Sequence, residues 1–426
     1  MKKLLVISAV LSAWVSCGRL DDVLSHNPYG TGVRTINLQL TYPDAYESEL
    51  GAGATVVIQN PSAKTEFRVQ TDGNGRASVK LQYGVYRISV SHRGASVAGA
   101  VPLFNRNVDQ LKVTDGSSTT IDVVIDMIVS YAGQLVIGEV YYRGCSRPGP
   151  PVANNQYDKY IAIYNNSDQV AYLDSVCLGT VGAYNAPTSA SKWIRPDGSL
   201  MDTIPINSAV WQFPSSTQNP GRTFPLQPGE KAVVALCAAI DHTLLWPNSV
   251  NLNVSGYWVT YDNRYYTNVN YHPAPGVNLA GHYLSVLKKI DAANAYAFSV
   301  TSPAPVIFRI PAEVSTAYEY VNDPANLRRE PGATSGNYYA MIPGEWVLDG
   351  VECFDAVTKH KRVPAIIDVS YVLLTDSYMG KTVHRKVDDA ASAEMSATLG
   401  RPTTVYRDTN NSSEDFEVRD TQSIKQ

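Results

Sequence analysis

The chain has 426 residues, with 35 basic against 39 acidic residues and a formal net charge of −4. A single hydrophobic core rarely suffices for a chain of this length, so two or three domains are expected. The chain has no excess of basic residues, so the electrostatic attraction on which nucleic-acid binding depends is missing. Only 17% of residues are charged while tyrosine occurs 27 times, a profile that predicts an all-β protein with few short helices and long loops.

The first residues have the layout of a secretion signal. Lys2 and Lys3 precede a short apolar run and the small residue Ser16, and the run is too short to span a bilayer. Because Cys17 stands at the cleavage point, the segment 1–16 resembles a bacterial lipoprotein signal. The resemblance implies that Cys17 is acylated and holds the protein on a membrane. A plain signal peptide is the alternative.

Residues 17–30 contain few apolar side chains and are predicted to be a solvated tether. Within them, Asp21 and Asp22 resemble in part the surface-export signal of Bacteroidota lipoproteins, and the alternative is an ordinary polar linker. The resemblance implies a lipid-anchored protein of the outer membrane that is exposed on the cell surface.

The segment 31–129 is predicted to be a first domain, because several short runs carry apolar residues at every second position, as half-buried strands do. The Asp-Gly-Asn-Gly sequence within 71–76 tolerates the positive φ of tight turns and predicts a hairpin. Together with Tyr-Gly-Val-Tyr-Arg-Ile at 83–88, it resembles the carboxypeptidase-regulatory or transthyretin-like β-sandwich of exported proteins. The resemblance implies a sandwich that serves as a spacer or interaction platform.

Residues 130–426 hold a second set of strand and turn signals. They are the runs 135–142, 157–168 and 232–235, Leu-Gln-Pro-Gly-Glu at 226–230, and Asp-Thr-Asn-Asn-Ser-Ser-Glu-Asp-Phe at 408–416. Together they resemble a lamin-tail domain, which implies a second, immunoglobulin-like β-sandwich with long loops. The order of both domains resembles a family of uncharacterised Bacteroidota surface lipoproteins, which implies a location rather than an activity.

A short helix is predicted over 390–399, and Gly400 and Pro402 are expected to end it. The carboxylates of Asp388 and Asp389 favour the positive end of a helix dipole and mark its start. The remainder of the second domain is predicted to form strands and loops.

Apart from Cys17 the chain has four cysteines, and an even number in an oxidising compartment predicts one or two disulfides. The four are Cys145, Cys177, Cys237 and Cys353. Four cysteines allow three pairings, which spacing does not separate. A Cys/His metal site needs close spacing, and the nearest approach is Cys353 with His360, so no metal site is predicted.

The stretch 255–273 is the densest in aromatic residues. It contains Tyr257, Trp258, Tyr261, Tyr265, Tyr266 and Tyr271. Large aromatic faces with polar tips, beside Asn and Asp side chains, are the mixture that binding loops use for sugars and protein surfaces, so these residues are a candidate binding surface. The favoured alternative is that alternate aromatic residues pack a long insertion onto the sandwich.

The sequence contains no catalytic signature, and neither catalytic residues nor cofactors are predicted. Gly-x-Ser-x-Gly and His-Glu-x-x-His are absent, and so is the phosphate-cradling pattern Gly-x-x-x-x-Gly-Lys-Ser/Thr. The histidines are scattered along the chain. A hydrolase would need a polar pocket that holds His242 or His272 beside a carboxylate, and we predict that the protein is not an enzyme.

A short modification signal occurs at residues 202–204. Asp202-Thr203-Ile204 resembles the O-glycosylation signal of Bacteroidota proteins, which implies that Thr203 carries a glycan. Thr203 lies in a stretch predicted to be a loop, where a glycan would be accessible.

The predicted function is a binding or accessory role at the cell surface. The expected partners are the membrane, through the lipid on Cys17, and an outer-membrane transporter or a surface glycan. The alternative is a structural or adhesive component of the envelope or of vesicles that takes no small ligand.

Overall fold

The computed structural model describes residues 28–94, 101–147, 153–196, 198–218, 220–279 and 281–425. The predicted signal peptide, Cys17 and the tether up to residue 27 lie outside these ranges. The described part of the chain forms 27 β-strands and three short α-helices, so the all-β prediction is confirmed. Among these described helices, none has the length and apolar character needed to cross a membrane.

Eight strands form the first unit. They are β1 Val33–Thr41, β2 Thr55–Asn60, β3 Thr65–Gln70, β4 Arg76–Gln82, β5 Gly84–Arg93, β6 Pro102–Val113, β7 Thr120–Asp126 and β8 Ile128–Tyr131, with a 3₁₀ helix at Asp44–Ala52. One sheet has the order β4-β1-β7 and the other has the order β3-β2-β5-β6-β8. Both sheets contribute to one hydrophobic core, with Ile36 and Leu38 from β1 and Ile88 from β5. The unit therefore has two layers, and strand alternation decides which side chains are buried.

The turn at 71–76 connects strands of different sheets. β3 pairs with β2, whereas β4 pairs with β1. The predicted hairpin is therefore wrong, although the turn is tight: the Asp72 carboxylate accepts hydrogen bonds from the backbone N–H groups of Asn74 and Arg76, both at 2.9 Å. Asp-Gly-Asn-Gly specifies a tight turn, while the pairing of the flanking strands depends on partners elsewhere in the chain.

Three residues separate β8 from the first strand of the second unit. Its strands are β9 Leu135–Tyr141, β10 Cys145–Arg147, β11 Ala153–Asn155, β12 Tyr160–Asn165, β13 Ala171–Tyr172, β14 Cys177–Val181, β15 Thr203–Gln212, β16 Pro225–Leu226, β17 Lys231–Ala235, β18 Trp258–Val259, β19 Ser285–Lys289, β20 Pro305–Phe308, β21 Leu327–Arg328, β22 Tyr339–Pro343, β23 Val347–Gly350, β24 Cys353–Phe354, β25 Val372–Leu373, β26 Thr382–Arg385 and β27 Phe416–Arg419. The α-helices are α1 Ala317–Asn322, α2 Asp389–Leu399 and α3 Ser412–Asp415. Short 3₁₀ helices cover His242–Leu244, Val277–Leu279, Pro324–Asn326 and Gly344–Trp346.

Two large sheets organise the second unit. One has the order β18-β17-β12-β9-β26-β27, and the other has the order β21-β22-β15-β14-β20-β23 with β19 paired to β15. Their facing sides share the main core, which includes Ile161 of β12 in one sheet and Trp211 of β15 and Ile307 of β20 in the other. β9 is buried along its whole length because further chain covers its second side. This unit is also two-layered.

The predicted helix is confirmed as α2, one residue longer at its start than expected. The Asp388 carboxylate caps it by accepting a hydrogen bond from the N–H of Ala391 at 3.0 Å. Gly400 ends it with a positive φ of 65°, a backbone conformation that glycine adopts without strain.

The two units are joined along the outer face of β5. Residues 88 and 90 face the first core, so the alternate residues of β5 face the second unit. The Arg87 guanidinium donates to the Lys359 carbonyl oxygen at 2.8 Å, and the Arg93 guanidinium donates to the Asp408 carbonyl oxygen at 2.7 Å. These bonds fix the two units side by side.

A buried ion cluster lies behind this junction. The Arg385 guanidinium is 2.5 Å from the Asp349 carboxylate, 3.1 Å from Asp408 and 3.6 Å from Asp415. Asp408 also accepts a hydrogen bond from the N–H of Gly133, in the connection between the units. Burial raises the pKa of Asp349 to about 6 and that of Asp415 to about 7, against the opposing charge of Arg385.

Candidate functional site

The predicted aromatic segment does not form one surface. Trp258 is only 4% exposed, and its ring lies 5.1 Å from Phe213 and 4.7 Å from Phe224, while Tyr266 is buried against Trp211. For Trp258 and Tyr266 the predicted binding surface is therefore wrong. β18 pairs with β17 at the edge of the sheet, so Trp258 points inward. The Trp258 side chain packs at the edge of the main core.

The four other aromatic residues of the segment lie outside the main core. Tyr257 and Tyr261 are half-buried and pack on a smaller hydrophobic cluster that includes Val233 of β17 and Val259 of β18. Tyr265 is exposed, with the Arg264 guanidinium 5.6 Å from the centre of its ring. Tyr271 points to another part of the molecule, where loops from distant parts of the chain meet.

These loops gather at one end of the second unit, called here the loop end. They are 142–144, 156–159, 182–187, 268–272, 299–304 and 375–381. The Arg143 guanidinium ties three of them, because it donates to the carbonyl oxygens of Asp376 at 2.8 Å and Thr301 at 3.2 Å. The Ala186 N–H donates to the Ser302 hydroxyl at 2.7 Å. The loop end is thus held by hydrogen bonds between loops that are far apart in sequence.

Four tyrosines of the loop end form what we call the tyrosine surface: Tyr157, Tyr184, Tyr271 and Tyr378. The rings of Tyr157 and Tyr271 meet edge to face at 4.8 Å, and the Gln156 amide donates to the Tyr271 hydroxyl at 3.1 Å. Burial raises the pKa of Tyr271, and the neighbouring Tyr157 and Tyr378 raise it further. Partial desolvation by surrounding atoms also raises the pKa of Tyr184, although 43% of the residue stays exposed, and Tyr271 is among the neighbours that add to the increase.

The tyrosine surface offers rigid aromatic faces and phenol hydroxyl groups. Tyr184 is exposed and the three others are half-buried. Phenol hydroxyls donate and accept hydrogen bonds, and the ring faces give apolar contact. The arrangement can bind a ligand that combines hydroxyl groups with C–H faces.

Only Tyr271 of this surface is among the predicted residues. The three others share a sequence signal, since each stands alone among small or polar turn residues: Asn-Gln-Tyr-Asp at 155–158, Gly-Ala-Tyr-Asn at 182–185 and Asp-Ser-Tyr-Met-Gly at 376–380. Such a pattern marks an exposed tyrosine on a loop. The sequence does not indicate that the three loops lie close together, because the arrangement of the strands in the two sheets brings them to the same end.

A buried polar cluster lies under the loop end and includes one of the histidines considered for catalysis. The Asp158 carboxylate accepts hydrogen bonds from the Ser249 hydroxyl at 2.5 Å and the Tyr141 hydroxyl at 2.9 Å, and burial raises its pKa. His242 is bonded through one ring nitrogen to the Ala238 carbonyl oxygen at 2.8 Å, and burial lowers its pKa. These groups are engaged in structural bonds.

His272, the other histidine considered for catalysis, is buried against the ring of Tyr266 at 5.2 Å. Burial lowers its pKa to about 4, so the imidazole is neutral near pH 7. Within the described residues its ring nitrogens have no hydrogen bond of normal geometry, the backbone of Thr260 is the polar group that affects the ring, and no carboxylate contributes to its pKa. His272 contributes to the core of the second unit.

The disulfide prediction is wrong, because Cys145, Cys177, Cys237 and Cys353 are all free, buried thiols. Each one has a different environment. The Cys145 sulfur is 3.6 Å from the Asp158 carboxylate, and the Cys237 sulfur is 3.8 Å from the Tyr296 carbonyl oxygen. Burial raises the pKa of the Cys145 thiol to about 12, so it is a protonated core group rather than a nucleophile.

The described residues contain no group of three His, Cys, Asp or Glu side chains that could hold a metal ion. Cys353, considered above with His360, lies in the main core. Thr203 is half-buried at the start of β15, where it pairs with Pro343. It therefore lies in a strand rather than in the predicted loop, and its glycosylation stays a prediction.

The fold and its loop end define an all-β protein of two two-layered units. Residues 227–423 match a family described as a protein of unknown function, DUF4876. The chain is also similar to the crystal structure of a DUF4876 family protein from Bacteroides thetaiotaomicron, with 26% identity, a TM-score of 0.56, and coverage of 90% of this chain and 94% of that chain. These similarities support the predicted uncharacterised family of Bacteroidota.

A second solved structure, a candidate adhesin from Bacteroides ovatus, matches over 36% of this chain and 84% of its own length, with 12% identity and a TM-score of 0.19. A TM-score this low supports no argument about fold or function. None of the curated proteins matches the chain.

Proposed function

We propose that the protein is a lipid-anchored outer-membrane protein that binds carbohydrate at the cell surface and acts as an accessory to an outer-membrane transporter, without catalysing a reaction. The observation that carries the binding role is the tyrosine surface at the loop end. The location rests on the signal-like segment 1–16 and on Cys17.

Carbohydrate fits the tyrosine surface for a chemical reason. Sugar rings present C–H faces that pack on aromatic rings, and their hydroxyl groups pair with phenols and amides. Tyr157 and Tyr271 supply two rings at right angles, and Gln156 supplies an amide between the loops. The Gln156 bond to Tyr271 joins the two loops that carry these rings, and the Arg143 bonds hold neighbouring loops of the loop end, so little conformational entropy is lost when a ligand binds.

The double substitution Tyr157→Ala with Tyr271→Ala is expected to weaken carbohydrate binding on the order of tenfold or more, because it removes two aromatic contacts. The measurement is native gel electrophoresis of the detergent-solubilised full chain through gels that contain starch, xylan or galactomannan. The wild-type protein is expected to be retarded by at least one of them.

The matched control for this experiment is Tyr318→Ala, which removes an exposed tyrosine from α1, away from the loop end. It should leave the retardation unchanged, and circular dichroism should show that all variants are folded. Equal retardation of the wild type and the double variant would contradict the proposed surface. A wild-type protein that none of the polysaccharides retards but that self-associates would favour the structural or adhesive alternative.

The substitution Cys17→Ala is expected to abolish lipid attachment and release the protein from the membrane fraction, since acylation requires the thiol. The measurement is metabolic labelling of cells with an alkyne fatty acid, followed by fractionation. The matched control is Cys145→Ala, which removes a buried thiol and should leave labelling intact. A wild-type protein without label would contradict the anchor.

A further inference from the structure

Two neighbouring loops of the second unit, 240–254 and 273–279, expose large apolar side chains at their tips. Leu244 in the first loop is 80% exposed and Val277 in the second is 85% exposed, more than any other large apolar residue that the structure describes. Leu245 is exposed beside Leu244. Single exposed apolar residues are common, whereas several on adjoining loops mark an interaction site.

The two loops are bonded to each other and share a buried base. The Gly276 N–H donates to the Ala239 carbonyl oxygen at 3.0 Å, at the point where both loops leave the body of the unit. Val250 of the first loop and Leu279 of the second pack in the same hydrophobic cluster. The base therefore holds the tips side by side and pointing outward.

The loops and the chain around them carry almost no charge. The ranges 242–261 and 265–287 contain no Asp, Glu, Lys or Arg, although 17% of all residues are charged. The Asp241 carboxylate, at the start of the first loop, accepts hydrogen bonds from the N–H group and the hydroxyl of Thr243 at 3.0 and 2.5 Å. Lys425 follows a residue of the shared cluster, and a lysine stem is long enough to carry its ammonium group to a polar boundary.

This pattern fits a lipid bilayer better than a protein partner. A protein interface is depleted of charge mainly at its centre, keeps a polar rim, and needs a matching pocket for each protruding anchor. Lipid closes around any protruding apolar group, and it disfavours charge over the whole contact because transferring an ion into hydrocarbon is costly. Trp246 follows Leu245 in the first loop, and indole rings favour the boundary between hydrocarbon and headgroups.

We infer that four exposed side chains at the tips of these loops insert into the surface of a lipid bilayer: Ile240, Leu244, Leu245 and Val277. The inference rests on the proposed anchor at Cys17, because the residues 17–27 span at most about 40 Å and keep the protein close to its membrane. Together the four side chains have about as many carbon atoms as one acyl chain, which alone binds membranes only marginally and reversibly. The loops therefore orient an anchored protein and do not replace its anchor.

Insertion of the loops places the tyrosine surface near the membrane. The Asn155 amide donates to Nδ1 of His242, in the first loop, at 3.1 Å, and Tyr157 follows two positions after Asn155. A ligand on the tyrosine surface is then held close to the bilayer in which an outer-membrane transporter lies, as the proposed accessory role requires.

The test attaches a polarity-sensitive fluorophore to the substitution Leu244→Cys in the lipidated full chain, reconstituted in phosphatidylcholine vesicles. The new thiol is the one that reacts, because the four cysteines of the described chain are buried and Cys17 carries the lipid. The emission is expected to shift to shorter wavelength and to be quenched by brominated acyl chains. Sodium chloride should leave the shift unchanged, because charged groups do not carry the contact.

The matched control is the same label on Val124→Cys, a position that is 62% exposed on the first unit, and this label should stay in water. Adding Val277→Asp to the labelled Leu244→Cys protein is expected to remove most of the shift, because a carboxylate resists transfer into lipid, whereas adding Val124→Asp should leave it intact. Both valines are exposed, and circular dichroism should show that both variants are folded.

A label at position 244 that stays in water while the protein floats with the vesicles would overturn the inference alone. If such a label became shielded only in native outer membranes, a protein partner would occupy the loops, and the inference would again be overturned. A chain without acylation would not float with the vesicles and would fail the fatty-acid labelling, which would overturn the proposed anchor and this inference with it. The Tyr157→Ala with Tyr271→Ala variant should keep the shift, so failure of the tyrosine surface is separable.

Discussion

Replacing Arg385 by methionine is expected to lower the free energy of unfolding by about 3–5 kcal/mol near pH 8. The guanidinium is 1% exposed and compensates three buried carboxylates, those of Asp349, Asp408 and Asp415. Removing one partner of a buried charge cluster leaves the others in a medium of low polarity without compensation. The measurement is urea unfolding followed by circular dichroism.

The loss from this substitution is expected to be smaller near pH 5 than near pH 8. Asp415 has a pKa of about 7 in the folded protein, raised by burial from an ordinary value of 3.8. A group with a raised folded pKa contributes stability that is fully present below its unfolded pKa and is lost as the pH rises through the folded pKa. The wild type should therefore lose stability between these pH values, and the variant should lose more, because its carboxylates lack the opposing Arg385 charge.

The control for the charge cluster is Arg264→Met. Arg264 pairs with Asp262 at 2.6 Å, but its side chain is 76% exposed, so water screens the pair and no measurable change in stability is expected. A similar effect of both substitutions, or an Arg385→Met variant that is more destabilised near pH 5 than near pH 8, would contradict the role assigned to the buried cluster.

The substitution Trp258→Ala is expected to destabilise the second unit by about 3–5 kcal/mol, because it removes a large ring from a packed core and leaves a cavity. The ring packs edge-on against Phe213 and Phe224 and stacks on His282 at 4.9 Å. The measurement is urea unfolding followed by circular dichroism. Fluorescence is not used because the substitution removes a tryptophan and so changes the signal itself.

Tyr265→Ala is the matched control for Trp258→Ala, because it removes an aromatic ring from the same segment at a position that is 44% exposed. Its effect on stability should stay within about 0.5 kcal/mol. If Trp258→Ala left stability unchanged and abolished polysaccharide binding, the core role of Trp258 would be contradicted. Trp258 would then belong to the binding surface considered from the sequence.

The division of this aromatic segment follows from tertiary contacts. β18 is only two residues long. Its pairing with β17 directs Trp258, and not the next residue Val259, into the main core. The alternative that aromatic residues pack an insertion onto the sheets holds for Trp258 and Tyr266. Tyr265 stays exposed, and Tyr271 lies apart from the core because its loop crosses to Tyr157.

Strands and the helix with strong local signals were predictable. The run 135–142 corresponds to β9, and the acidic pair before Ala390 corresponds to the cap of α2. β6 has a weak local signal although it has twelve residues, because its pairing with β5 is irregular between Tyr86 and Ile88. A bulge of this kind interrupts the alternation on which strand prediction depends.

By itself, the sequence determined the all-β class, the tight turn at 71–76, helix α2 and the expectation of export, because each of these depends on local composition and spacing. Tertiary structure alone decided which strands the turn joins, that the four cysteines stay apart, and that Tyr157 meets Tyr271. The physical reason is that strand pairing and loop convergence are long-range contacts. Local sequence specifies a conformation, and only packing selects the partner.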